Sequence, residues 1–181
     1  MKFLITIFFL LQVSLYAFGQ DTYTCKNVKL NIYAPAPFGD VNGTSITGIS
    51  SLNTSVSDLS FSVQVKTFKF EKTLMEQHFN EKYMESGKYP TARFKGKIAE
   101  LPDLKKDGIY HVTATGELEI HGTSQMRSIP GTLTIKDGNI TLNAEFTVKC
   151  VDHHIEIPKL VFHKIAESVQ VKLQAVYEAK K

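Results

Sequence analysis

The sequence carries none of the short signatures that announce catalysis. It has no Gly-x-Ser-x-Gly elbow, no His-Glu-x-x-His pair and no phosphate-binding loop, so the serine hydrolase, zinc peptidase and P-loop mechanisms lack their residues. Like charges are not gathered into blocks. The 21 Lys and Arg are interspersed with 18 Asp and Glu, for a net charge of +3, which leaves no basic stripe for nucleic acid. Cysteine is scarce: only Cys25 and Cys150 occur, and neither has neighbours that suggest a nucleophile. In an oxidising compartment the pair is compatible with a disulfide, and equally with two small buried apolar residues. Long apolar runs are absent after the N-terminus.

The N-terminal run itself reads as an export signal. Lys2 precedes an apolar stretch from Phe3 to Leu11, and a more polar stretch follows, closing on Ala17-Phe18-Gly19. A secretory signal over 1–19 is expected, with cleavage before Gln20. Gln12 and Ser14 interrupt the run, which falls short of the roughly 20 apolar residues of a membrane span. Thr22-Tyr23-Thr24 ahead of Cys25 lack the small and aliphatic residues of a lipoprotein signal. The expected product is periplasmic or secreted and consists of one domain, residues 20–181, long enough to bury a real core.

What dominates that domain is alternation. Tyr110, Val112, Ala114, Gly116, Leu118 and Ile120 share one face, and His111, Thr113, Thr115, Glu117, Glu119 and His121 the other, the period of a half-buried strand. The period returns from Ile140 to Cys150 and from Val169 to Tyr177. Phe61, Val63 and Val65 begin a further strand, whereas Phe68 and Phe70 stand in the opposite phase, which predicts a bulge near Lys66 or Thr67. Asp137-Gly138 and Asp107-Gly108 are turn pairs that support hairpins. Pro35, Pro37, Pro90, Pro102 and Pro158 fall at breaks. The fold class expected is all-β: about eight strands, largely a meander, closed into a single antiparallel lipocalin-like β-barrel because closure removes exposed edges. One short helix between strands is expected from the spacing of Leu74, Met75, His78, Phe79 and Met84, ended by Gly87 and Pro90. Its apolar residues suit a cover over one mouth or side of the barrel.

An interior of this size is either filled by side chains or able to hold one small ligand. The inward face mixes the large Phe61, Phe94, Tyr110 and Phe146 with the small Ala92, Gly96, Ala114, Gly116, Ala144 and Ala175. Small residues on neighbouring strands leave room, although alternating sizes also pack solid barrels. Inward positions carry almost no charge, so a cavity would favour a long hydrocarbon, at roughly 0.8 kcal/mol per buried methylene. The residues expected to contribute to its lining are Phe61, Val63, Phe68, Phe70 and Phe94, with Leu74, Met75, His78, Phe79 and Tyr83 from the helical segment. Tyr110, Val112, Leu118, Phe146 and Val171 complete that set, and His78, Tyr83 and Tyr110 are its polar handles for a head group. His78 also reads as a plain helix contact, and in an enzyme it would be the acid or base. His121, before Gly122, reads as a turn residue. His153 and His154 point to opposite faces if they lie on a strand, and with His163 they have no acidic partner at useful spacing, so no metal site is expected. No catalytic residue and no cofactor is expected, apart from a bound lipid.

Three stretches are specific enough to suggest relatives: LMEQHFNEKYMESGKYPTARFKG from Leu74 to Gly96, GELEIHGTSQ from Gly116 to Gln125, and IAESVQV from Ile165 to Val171. With their helix histidine His78, the Tyr89-Pro90 step and the strand start at Phe94, they resemble the YceI-like family of periplasmic polyisoprenoid-binding proteins, in the form typical of Bacteroidetes. The resemblance implies an extended lipocalin-like barrel whose long apolar pore takes an isoprenoid tail, as of a quinone or a polyprenyl phosphate. It implies an exported carrier or scavenger and not an enzyme, with an isoprenoid lipid as partner, transient membrane contact and a homodimer. Asn42, Asn53 and Asn139 head Asn-x-Ser/Thr triplets that are chance matches in a bacterium. Two other classes stay open: an enzyme acting on a lipid or amide, and a solid-core, stress-related exported protein.

Overall fold

In a computed structural model, residues 22–36, 40–157 and 167–177 are described. The alternating runs form β1 (Thr22–Ala34), β2 (Val41–Asn53), β3 (Asp58–Gln64), β4 (Lys69–Phe70), β5 (Thr91–Ile98), β6 (Gly108–Ile120), β7 (Thr123–Lys136), β8 (Asn139–Lys149) and β9 (Ser168–Tyr177). Each strand pairs antiparallel with its neighbours, and β1 pairs with both β2 and β9. Eight strands thereby close into a barrel, with β4 as a two-residue extra that pairs with β2 at Gly43 and Thr44. Closure leaves the eight strands without an unpaired long edge.

Turn chemistry sets the hairpins. Asp137 and Gly138, with φ of 50° and 77°, link β7 to β8 as Lys136 faces Asn139. That is the left-handed pair a two-residue hairpin needs. His121 and Gly122, at 52° and 68°, do the same between β6 and β7. Asp107-Gly108 is not such a turn. Gly108 opens β6, and the Asp107 carboxylate accepts the backbone N–H of Asp137 at 3.2 and 3.3 Å, tying the β5–β6 loop to the β7–β8 hairpin.

The phase change after Val65 is also made differently from expectation. In place of a bulge there is a 3-10 turn at Val65–Thr67. The Thr67 hydroxyl donates to the Gln64 carbonyl at 2.7 Å, and the turn moves the chain from the Ile49–Asn53 half of β2 to Gly43 and Thr44. Register irregularities do occur in β1, between Cys25 and Val28 and between Val28 and Leu30. They let Cys25 and Val28, at an odd spacing, both turn into the core.

Helix α1 (Thr73–His78) continues into a π-helical turn at Phe79–Tyr83. It follows β4 and precedes β5, so it sits at the barrel end where β3 finishes and β5 begins. Phe79 anchors it, with its ring 5.7 Å from that of Phe68 and 4.9 Å from that of Phe70. Lys69 adds an ion pair to Glu76 at 2.7 Å. No helix among the described residues is long and apolar enough to cross a membrane.

Candidate functional site

The barrel encloses a cavity of about 570 Å³. Its wall is the inward phase of the strands. Thirteen of the residues singled out from sequence converge on it: Phe61, Val63, Phe68, Phe94, Val112, Leu118, Phe146 and Val171 from the wall, and Leu74, Met75, His78, Phe79 and Tyr83 from the helical cover. Two stand apart. Phe70 packs against Phe79 and lies over Gly43, within the apolar packing beside the cavity and not in its lining. Tyr110 folds over Gly108 at the far end of the barrel, where its hydroxyl donates to the Lys106 carbonyl at 3.1 Å.

Further wall residues share the lining. Leu59, Ile98, Ile129, Leu142 and Leu173 lie on the same inward phases, and strand alternation marks them as plainly as it marks their neighbours. Val28, Leu30, Ile32 and Ala34 of β1 also line the cavity, at the spacing of two that alternation marks in this strand as in the others. Cys150 borders the cavity too, from the 3-10 turn after β8.

The small residues divide into two groups. Ala92, Ala114 and Ala144 face the cavity and widen it. Gly96 and Gly116 do not; they oppose each other across β5 and β6. A Cβ on Gly116 would strike the Lys95 carbonyl oxygen and the Gly96 Cα, while the Phe94 ring covers Gly96. These glycines allow close backbone approach, and the space they leave is filled. Ala175 is buried away from the cavity.

One end of the cavity is closed. Leu52, Leu133, Ile135, Ile140 and Tyr177 are buried without lining it, and Ser50 and Tyr177, both buried, share a hydrogen bond there. The opposite end, beneath α1, carries the exposed Lys72 and His78 and the half-buried Tyr83. Ser62 and Arg93, paired across β3 and β5 with Arg93 bridged to Glu119, border the cavity as well. Burial, with Cys150 close by, pushes the Tyr83 phenol above its ordinary pKa, and burial does the same to the Cys150 thiol. Both therefore stay neutral near pH 7, and the interior stays uncharged.

Cys25 and Cys150 are free and buried. Cys25 lies close to Tyr177, at the closed end of β9, and Cys150 donates its N–H to Glu167, just before the other end of that strand. Since β9 spans Ser168–Tyr177, the two thiols are separated by a strand length of roughly 30 Å, well beyond disulfide reach.

His121, His153 and His154 clasp the open end. His121 contacts the His153 carbonyl through Nδ1 at 3.2 Å and the Glu85 carboxylate through Nε2 at 3.0 Å. Both partners are acceptors, so both contacts are hydrogen bonds only while each ring nitrogen carries a proton. The Tyr89 ring packs edge-on to His121, 4.4 Å between centroids. His153 is buried and donates from Nδ1 to the Thr123 carbonyl at 3.0 Å, and His154 meets the Thr123 hydroxyl at 3.1 Å. Among the described residues no three His, Cys, Asp or Glu come together as metal ligands, and His163 lies outside those residues.

The comparisons agree with this architecture. Residues 24–177 match the family model of the YceI-like domain. A polyisoprenoid binding domain from Saccharophagus degradans, implicated in plant cell wall breakdown, has a similar structure: TM-score 0.74, 13% identity, 89% of this chain and 99% of that one. Burkholderia cenocepacia BcnA follows at TM-score 0.66 and 16% identity, covering 82% of this chain and 95% of that one. A Campylobacter jejuni YCEI protein gives 0.55 at 14% identity, covering 74% and 81% respectively. No curated protein matches the sequence. The solved structures speak for the fold, and the family match spans nearly the whole barrel, so the chain belongs to the YceI-like family.

Proposed function

We propose that this is an exported lipid-binding protein that holds the isoprenoid tail of a quinone or polyprenyl lipid inside the barrel and acts as a carrier or scavenger, without chemical turnover. The observation that carries the proposal is the cavity itself: about 570 Å³, apolar along its depth, with Lys72, His78 and Tyr83 gathered at the open end. Such a site withdraws hydrocarbon from water along the tail and meets a polar head group only at the rim. Lys72 has no ion-pair partner among the described residues, which suits an anionic or carbonyl-bearing head. The polyisoprenoid binding described for the Saccharophagus degradans domain supports the choice of tail.

Export and exchange complete the proposal. The segment 1–19 lies outside the described residues, and its removal would leave Gln20 as the first residue of a periplasmic or secreted protein. Leu74 on α1 is 61% exposed beside the mouth, placed to enter a bilayer surface during transfer. A homodimer is part of the same proposal.

Native mass spectrometry of protein purified from its own host, followed by organic extraction, tests the whole reading. The expected species is a dimer of chains beginning at Gln20, each with one isoprenoid. Protein that arrives empty and refuses added polyprenols would overturn the lipid-binding reading, and a monomeric mass would remove the dimer.

A further inference from the structure

The closed end of the cavity sets a depth. Leu142 on β8 still lines the cavity and faces Leu133 of β7 across the ladder. Leu133 itself is fully buried and does not line it, and beyond it Ile135, Ile140 and Tyr177 fill the barrel. A chain entering beneath α1 therefore meets a solid floor at the level of Leu133 and has no exit at the opposite end.

We infer that this pocket discriminates isoprenoids by length: it encloses a tail of about four isoprene units against the Leu133 floor and leaves any further units outside. The inference rests on the isoprenoid reading above and adds a length to it. An engineered cavity of about 150 Å³ takes one benzene ring. At that ratio the 570 Å³ available here holds on the order of twenty heavy atoms, which is four five-carbon units. Units inside the pocket leave water and raise affinity, and units outside do not. Affinity should rise steeply with tail length and then break.

Two residues should move that break. Leu133→Ala removes the top of the floor next to Leu142 and deepens the pocket. Ala144→Leu, from a lining position on β8, shortens it. Because Ala144 faces open space, its variant retains the fold even if truncation of Leu133 does not.

The test is competitive loading of the purified protein with prenols of two, three, four, six and eight isoprene units, with occupancy read by native mass spectrometry. Expected is a gain of about tenfold or more per unit up to four units, and a gain below about threefold for all further units together. The break should shift toward five units in Leu133→Ala and toward three in Ala144→Leu, with folding of each variant checked by circular dichroism. Affinity that climbs without a break to eight units, or a break that stays at four in a folded variant, overturns the length inference while leaving the isoprenoid reading intact. Failure of every prenol to bind removes the isoprenoid reading itself.

Discussion

Tyr177 closes the barrel floor with its ring buried and its hydroxyl bonded to Ser50. Burial, only partly offset by the Ser50 hydrogen bond, pushes its phenol far above the ordinary value. A phenol whose folded pKa is raised contributes stability that is complete below its unfolded pKa and is lost as pH climbs from there toward the folded pKa. The wild type should accordingly lose up to about 1.4 kcal/mol per pH unit above roughly pH 10 from this residue. Tyr177→Phe should be about 1 kcal/mol less stable at neutral pH, because the buried Ser50 hydroxyl loses its partner, and its alkaline decline should be shallower. Urea unfolding across that pH range decides between parallel and converging curves. Cys150 offers a second check at this scale. Its buried thiol borders the cavity with its pKa raised, so alkylation by iodoacetamide should be slow at neutral pH. Loading with lipid should slow it several-fold more, as read from intact mass; equal rates would mean that the ligand lies elsewhere. His121 and Gly122 were legible from sequence as a turn, but the contacts of His121 with Glu85 and His153 were not, since those partners are 36 and 32 residues away.

At the level of elements, two hairpins of the same kind differ in what surrounds them. Gly138 and Gly122 both have positive φ, yet a Cβ on Gly138 would meet open space and one on Gly122 would run into the Tyr89 ring. Gly138→Ala should cost about 1 kcal/mol, the conformational penalty alone. Gly122→Ala should cost about 1 kcal/mol or more beyond that and should also speed lipid exchange, because Tyr89 holds the segment after α1 against this hairpin. Thermal unfolding and the off-rate of a loaded prenol would show both effects; equal costs would mean that Tyr89 yields freely. The helix was readable from its spacing, as were most strands. The 3-10 turn at Val65–Thr67 was not. A reversal of apolar phase says that the chain must shift by a residue, and a bulge and a helical turn both accomplish it. The choice came from pairing of β4 with a distant part of β2.

For the whole molecule, an apolar cavity of this size is an unfilled part of the core, so occupancy and stability should be linked. Prenol at about one hundred times its Kd should add about 2.7 kcal/mol and raise Tm by roughly 5–10 °C, with no shift for a short-chain alcohol that leaves the cavity mostly empty. A Tm unmoved under those conditions would mean that the prenol binds the unfolded chain as well as the folded one, and would overturn a site that only the closed barrel builds. Read alone, the sequence marks most strands through their period of two, the hairpin at Asp137-Gly138 and the turn at His121, but not the role of Asp107-Gly108, together with the inward identity of most lining residues and membership of the family through its motifs. The packed barrel is needed to see that one end is filled and the other open, that Gly96 and Gly116 bring strands together without enlarging the cavity, that Phe70 and Tyr110 do not line it, and that the two cysteines lie at opposite ends. Alternation reports which face of a sheet a residue occupies. Height along the barrel, and what fills the space beside each residue, follow from strand register and from side chains far apart in sequence.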